Sequence, residues 1–183
     1  MRKATSSRRV GLYILGVALA LALSVVLGLW YSAAHENSYT VSGRSMEPVF
    51  SDGDHIEVTH PDGAHVARGD IAVFLEPESW KADQLKPHVL VKKVVGTPGD
   101  TVSVTDADAA NAGVYVNGEK LTSFPSGYTC SAHEVTLGDD EYLMMGVNMN
   151  HSSDSVRRLC AGNAAGAVVT KDRIQAYGEA VVK

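Results

Sequence analysis

The sequence predicts a mainly β, antiparallel domain behind one membrane-length helix. Three observations point there: an uncharged apolar run over residues 10–31, period-two alternation from about residue 38 onward, and no long amphipathic helix pattern after the run. At 183 residues the chain is long enough for one domain with a sizeable core.

The apolar run comes first. As a helix rising about 1.5 Å per residue, 22 residues cross a hydrocarbon core of roughly 30 Å. Trp30 and Tyr31 close its far end, where aromatic side chains favour the lipid interface. Arg2, Lys3, Arg8 and Arg9 precede it with no acid, so the positive-inside rule leaves residues 1–9 in the cytosol and 32–183 outside. A cleavable secretory signal peptide is the competing reading, with Ser32-Ala33-Ala34 as small residues at a cut. Its apolar centre would be shorter, about 7–15 residues, which favours a retained anchor.

Charge divides along the same line. The formal net charge is −5, and the first nine residues carry +4, so the rest carries −9 (−5 less +4). So acidic an ectodomain argues against nucleic acid, whose binding rests on phosphates neutralised by Lys and Arg.

After a short polar link at 32–37, strands are expected over 39–41, 55–59, 70–75, 88–95, 101–105, 114–116, 120–122, 142–145, 168–170 and 174–182. Asn117-Gly118 is a type I′ hairpin signal between two of them. Arg68-Gly69-Asp70 and Pro98-Gly99-Asp100 mark turns that launch the next strands. Segments 76–87 and 123–140 read as exposed loops. Cys130 and Cys160, in an oxidising compartment, are expected to close a loop of about 30 residues, although two buried thiols fit the sequence too. His55, His60 and His65 recur every five residues, matching neither a helix face nor a strand face, so they read as loop and strand-end residues rather than metal ligands. No cofactor or metal site is expected.

The chemistry centres on Ser42-Gly43-Arg44-Ser45-Met46-Glu47-Pro48, where a hydroxyl sits between a small Gly and a rigid Pro. Its base could be a histidine, with His88, His133 and His151 available and Asp154 or another carboxylate as orienter. The other candidate is Lys92. Alternation in Val89-Leu90-Val91-Lys92-Lys93-Val94-Val95 puts Lys92 on the face of Leu90 and Val94, and Lys93 on the opposite face. Burial lowers an amine's pKa, and bringing it from about 10.4 to about 8 takes roughly 3 kcal/mol. The neutral amine can then accept a proton from a serine hydroxyl. The bland alternative is an edge-strand lysine whose head reaches water.

Five stretches in order resemble bacterial type I signal peptidases. The serine box, with Asp52-Gly53-Asp54 behind it, looks like the nucleophile box. Gly69-Asp70-Ile71-Ala72-Val73-Phe74 is similar to the next strand box, and Val91-Lys92-Lys93-Val94-Val95-Gly96-Thr97-Pro98-Gly99-Asp100 to the lysine box. Val116-Asn117-Gly118-Glu119-Lys120-Leu121 looks like the hairpin that follows. Gly146-Val147-Asn148-Met149-Asn150-His151-Ser152-Ser153-Asp154-Ser155 resembles the last box.

The resemblance implies a signal-peptidase-like catalytic domain, a Ser45 nucleophile and a Lys92 general base. It implies an oxyanion hole from the Ser45 N–H, with Ser42 as candidate second donor because Gly43 stands where some relatives carry a hydroxyl. It implies that Ser152 orients the amine, and that Asp154 gives structural support with basic partners, Lys93 at one such position and Arg157 at a shifted one. Substrates would be preproteins cut after small residues, and the location the plasma membrane, in contact with lipid. Val147, Met149 and Val156 depart from the family's pattern in the last box. The alternative is a related assembly chaperone or dedicated processing factor, for instance for pili. A cytosolic Ser-Lys autoprotease is disfavoured by the apolar run and the acidic ectodomain.

Overall fold

The computed structural model describes residues 4–35, 38–59, 66–80 and 88–183, with side chains of the first helix described at 10, 11 and 13–28. Trp30, Tyr31, the link at 36–37, His60, His65 and residues 81–87 of the loop expected over 76–87 lie outside the described backbone or side chains. The chain divides into two units, Met1–Asn37 and Ser38–Lys183.

The first unit holds helix α1, Ala4–His35, 32 residues long. Its described side chains run unbroken only over 13–28. Among the described residues no helix is long and apolar enough to cross a membrane. The apolar side chains that are described, Ile14, Val17, Leu21 and Val25 among them, are all exposed.

The second unit is antiparallel β. Strands β1 (Ser38–Thr40), β2 (His55–Val58), β3 (Ile71–Leu75), β4 (Val89–Gly96), β5 (Thr101–Val104) and β6 (Gly113–Val116) are followed by β7 (Glu119–Ser123), β8 (His133–Thr136) and β9 (Glu141–Met145). Helices α2 (Ser155–Cys160) and α3 (Ala164–Ala167) precede β10 (Val169–Thr170), β11 (Ile174–Gly178) and β12 (Ala180–Val182). The described strands form three sheets, ordered β1-β2-β12, β10-β9-β4-β3-β11 and β7-β6-β5-β8. β-Branched residues dominate β4 and β5, and β5 buries every second side chain, Val102 and Val104, as a half-buried strand should.

The β6–β7 hairpin turns on Asn117 and Gly118, both at positive φ (53° and 81°), as a type I′ turn requires. The turn after β4 is tied to it through Asp100, which accepts from Thr97 N–H (2.8 Å), Asn117 Nδ2 (2.8 Å) and Arg68 Nη2 (2.8 Å).

Three expectations change. The stretch 174–182 is two strands, because β11 pairs with β3 whereas β12 pairs with β2; the chain changes sheet at Gly178-Glu179. Segment 123–140 is no exposed loop: it contains β8, buried Tyr128, Cys130 and Leu137, and the Cys130–Cys160 disulfide. β8 escapes a sequence reading because it is a polar edge strand whose pairing with β5 creates it. In 76–87, the described part folds into a 3-10 turn, Glu78–Trp80, with Trp80 buried against Phe74 and bonded to the Gly166 carbonyl at 2.6 Å.

Candidate active site

The loop between β1 and β2 is pinned at both ends before it presents a side chain. Val41 N–H donates to the Asp54 carbonyl (2.8 Å) and Gly53 N–H to the Val41 carbonyl (2.9 Å). Asp52 Oδ1 accepts from Gly43 N–H (2.7 Å), and Asp54 Oδ2 from Ser51 N–H (2.7 Å). Met46 is fully buried in a cluster with Val41, Phe50, Ile56, Val73 and Val91. That anchor holds half-buried Ser45 beside it, and the Ser45 carbonyl accepts from Asn148 N–H at 2.9 Å.

Strand alternation delivers the second group. Lys92 is 4% exposed, and its Nζ lies 2.7 Å from Ser45 Oγ and 3.1 Å from the Val91 carbonyl. Burial holds the amine's pKa below the usual lysine value, and the nearby Asp154 carboxylate offsets part of that shift. Among the described residues, the side-chain partner of Ser45 Oγ is thus Lys92 Nζ. His133 opens β8, and His151 lies exposed in the 3-10 turn Met149–His151.

The segment after β9 closes the site. Asp154, 1% exposed, accepts from Gly146 N–H (2.8 Å), the Ser152 hydroxyl (2.5 Å) and Arg157 N–H (3.0 Å), the last as N-cap of α2. Ser155 Oγ accepts from Met144 N–H at 3.0 Å, tying α2 to β9. A Cβ on Gly146 would collide with the Ser152 hydroxyl and come within 2.7 Å of the Ser45 carbonyl, so only glycine lets these two loops meet. The guanidinium of Arg158 stacks 4.1 Å from the Trp80 ring centroid.

A cleft of about 660 Å³ runs up to the amine, lined by Tyr39, Thr40, Ser42, His88 and residues 89–92. Its two walls are unpaired strand edges. β4 pairs with β9 only from Lys93 onward, so Val89–Lys92 have β3 on one side and, among the described residues, no strand on the other. Val94 exchanges bonds with Asp70 and Gly69, and the His88 carbonyl accepts from Glu76, so even-numbered backbone groups face β3 and those of Val89 and Val91 face the cleft. Across it, β1 uses Val41 toward β2, which leaves the Thr40 backbone on the open side.

The structure therefore brings Ser45, Lys92, Ser152 and Asp154 into one neighbourhood, with Ser42 exposed on the cleft wall. It does not bring Lys93 to Asp154: Lys93 is exposed on the opposite strand face. Arg157 meets Asp154 only through its backbone N–H; its guanidinium goes instead to the carbonyls of Ser152 (2.9 Å) and Met149 (3.0 Å). Asn148 and Tyr128 were not legible as site residues. Asn148 contributes its backbone N–H to the Ser45 carbonyl and Tyr128 a ring face to the Arg157 guanidinium, 4.8 Å from the centroid, and neither leaves a spacing signature.

The sequence matches the family described as signal peptidase, peptidase S26, over residues 12–182. It is 33% identical over 147 residues to a probable signal peptidase I-2 of Synechocystis sp., covering 77% of this chain and 63% of that protein, slightly less than two thirds. It is 31% identical over 157 residues to a signal peptidase I of Bacillus amyloliquefaciens, covering 78% and 77%. A crystal structure of a signal peptidase I from Enterococcus faecalis V583 overlaps it with a TM-score of 0.44 at 18% identity, over 67% of this chain and 100% of that one, too distant to carry an argument. On the extent of the family match and the Bacillus relative, the chain belongs to the signal peptidase family, peptidase S26.

Proposed function

We propose that the protein is a membrane-anchored serine endopeptidase that removes N-terminal signal peptides from preproteins, with Ser45 as nucleophile and Lys92 as general base. The observation that carries this is the buried Lys92 amine, 2.7 Å from Ser45 Oγ at the end of an open-edged cleft.

A neutral Lys92 takes the Ser45 proton as Oγ attacks the scissile carbonyl. The resulting oxyanion is met by the Ser45 N–H, with the Ser42 hydroxyl as candidate second donor. The lysine ammonium then gives its proton to the leaving amine of the mature chain, and the acyl-enzyme remains. A water, deprotonated by the same amine, hydrolyses the ester, returns the proton to Oγ and releases the signal peptide. The Ser152 hydroxyl and the Asp154 carboxylate orient the amine throughout.

The substrate enters as an extended strand. The N–H and C=O groups of Thr40 and Val89 and the N–H of Val91 bond its backbone, and shallow pockets between its walls accept small residues at positions −1 and −3. Residues 10–31 of α1 serve as the anchor: a helix apolar on every described face suits lipid, and its basic start puts the catalytic unit outside the cytosol.

The test is cleavage of a preprotein with an Ala-X-Ala site in detergent or lipid. The parent chain should cut after the second Ala, and Ser45→Ala and Lys92→Ala should each lose on the order of 10³-fold or more in kcat. A bulky −1 residue should abolish cleavage. Binding without cutting would replace this reading with a chaperone role, and activity kept in Lys92→Ala would move the base to a histidine.

A further inference from the structure

Arg157 reaches back from α2 over the turn that delivers Ser152. Its Nε donates to the Ser152 carbonyl (2.9 Å) and its Nη2 to the Met149 carbonyl (3.0 Å), so one planar fork brackets residues 149–152. The guanidinium also lies on Tyr128, 4.8 Å from the ring centroid. Tyr128 is 7% exposed and is itself stacked on Phe124 at 4.9 Å.

The strap that carries this ring is fastened to α2 independently. Cys130, two residues beyond Tyr128, is bonded to Cys160, the last residue of α2, and Ser131 N–H donates to the Cys160 carbonyl at 3.2 Å. Strap and helix are thus joined at one end by a covalent link and in the middle by a cation on a ring.

We propose that Tyr128 and Arg157 are a positioning pair for the reaction, holding Ser152 and Asp154 against the Lys92 amine, and that the Cys130–Cys160 disulfide keeps the pair in register. This rests on the peptidase reading above. Arg157 acts through Ser152: its fork fixes that residue's carbonyl, while Asp154 takes the same residue's hydroxyl. The amine itself faces Ser45 Oγ, the Val91 carbonyl and the Asp154 carboxylate, with His88 along the cleft wall. A lysine at 157 cannot bracket two carbonyls, since its ammonium is a point donor on a flexible stem. A phenylalanine at 128 still offers the ring face. With the disulfide opened to two thiols by a dithiol reductant, which is itself oxidised, the strap is free to part from α2 and the ring from Arg157.

The experiment measures kcat and KM separately on the full chain in detergent, with an Ala-X-Ala preprotein and thermal melts alongside. Arg157→Lys and Tyr128→Leu should lower kcat by on the order of 10- to 100-fold while KM stays within about twofold, because the cleft is untouched. Tyr128→Phe should keep most of the parent's kcat. Dithiothreitol on the parent should reproduce the loss and reoxidation should reverse it. The Cys130→Ser/Cys160→Ser variant should sit at the reduced level and ignore the reductant. The reductant arm needs no variant to fold. Unchanged kcat in Arg157→Lys, a kcat in reduced parent equal to that of oxidised parent, or a loss in Tyr128→Phe as deep as in Tyr128→Leu overturns the proposal. A parent chain that does not cut overturns the peptidase reading itself, and the inference with it.

Discussion

At the scale of the residue, Lys92 carries two opposed demands. Burial disfavours its charge, and the proposed chemistry needs that result, since only the neutral amine accepts the Ser45 proton. The rate should therefore rise with pH along an acid limb set by the lowered Lys92 pKa, and level off above it; a limb at the ordinary lysine value of about 10.4 would contradict this. The linkage runs the same way. The unfolded chain keeps its proton up to about 10.4 and the folded chain releases it lower, so between those values the unfolded state binds more protons and stability rises with pH. Lys92→Met should remove the penalty, raising Tm by a few degrees while activity is lost. A fall in Tm would mean that the bonds to Val91 and Ser45 outweigh the burial. Gly146 is the opposite kind of position, where bulk rather than charge is excluded. Gly146→Ala forces the Ser152 hydroxyl or the Ser45 carbonyl to move, and should cost about 1–3 kcal/mol of stability together with most of the activity. Denaturant melts and cleavage rates on one preparation check both.

At the scale of the element, the turn after β4 and the β6–β7 hairpin are one unit joined through Asp100. Burial pushes its carboxyl up, but bonds from the Thr97 N–H, Asn117, Arg68 and the Thr97 hydroxyl outweigh it and hold the pKa down at about 2. The folded value lies below the unfolded one, so its contribution is full above about pH 4 and is lost as pH falls toward 2. Asp100→Asn should cost about 2 kcal/mol at neutral pH and flatten the acid limb of a stability–pH curve; an unchanged limb would place the acid sensitivity elsewhere. Legibility follows the same grain. Period-two alternation made β4 readable and put Lys92 and Lys93 on opposite faces, and Asn117-Gly118 announced its hairpin. β8 was hidden because Val135 is its only apolar residue, leaving no alternation to see. α2 has six residues and α3 four, too few for a helical period; capping by Asp154 and Asn163 and burial against the sheets make them helical. The partners of Arg157 were unreadable because backbone carbonyls have no letter in the sequence.

At the scale of the whole molecule, the three sheets, the disulfide and every residue proposed for catalysis lie within Ser38–Lys183, while α1 belongs to the other unit. If α1 serves to hold the catalytic unit at the bilayer, its removal should change what the enzyme meets and leave its chemistry intact. A chain starting at Ser38 should show a β-rich circular dichroism spectrum and a cooperative melt, and should cut a soluble Ala-X-Ala peptide with a kcat within a few-fold of the parent's. On a preprotein inserted in vesicles it should fall well behind, because anchoring confines enzyme and substrate to one surface and raises their effective concentration. The charge of the unit sharpens the contrast: the −9 beyond residue 9 includes Glu36, so Ser38–Lys183 carries −8 (−9 less −1), is repelled by anionic lipid and gains nothing from the surface without its anchor. Equal loss on both substrates would mean that α1 supports the fold of the catalytic unit, and equal retention on both would remove the anchor from the account of activity.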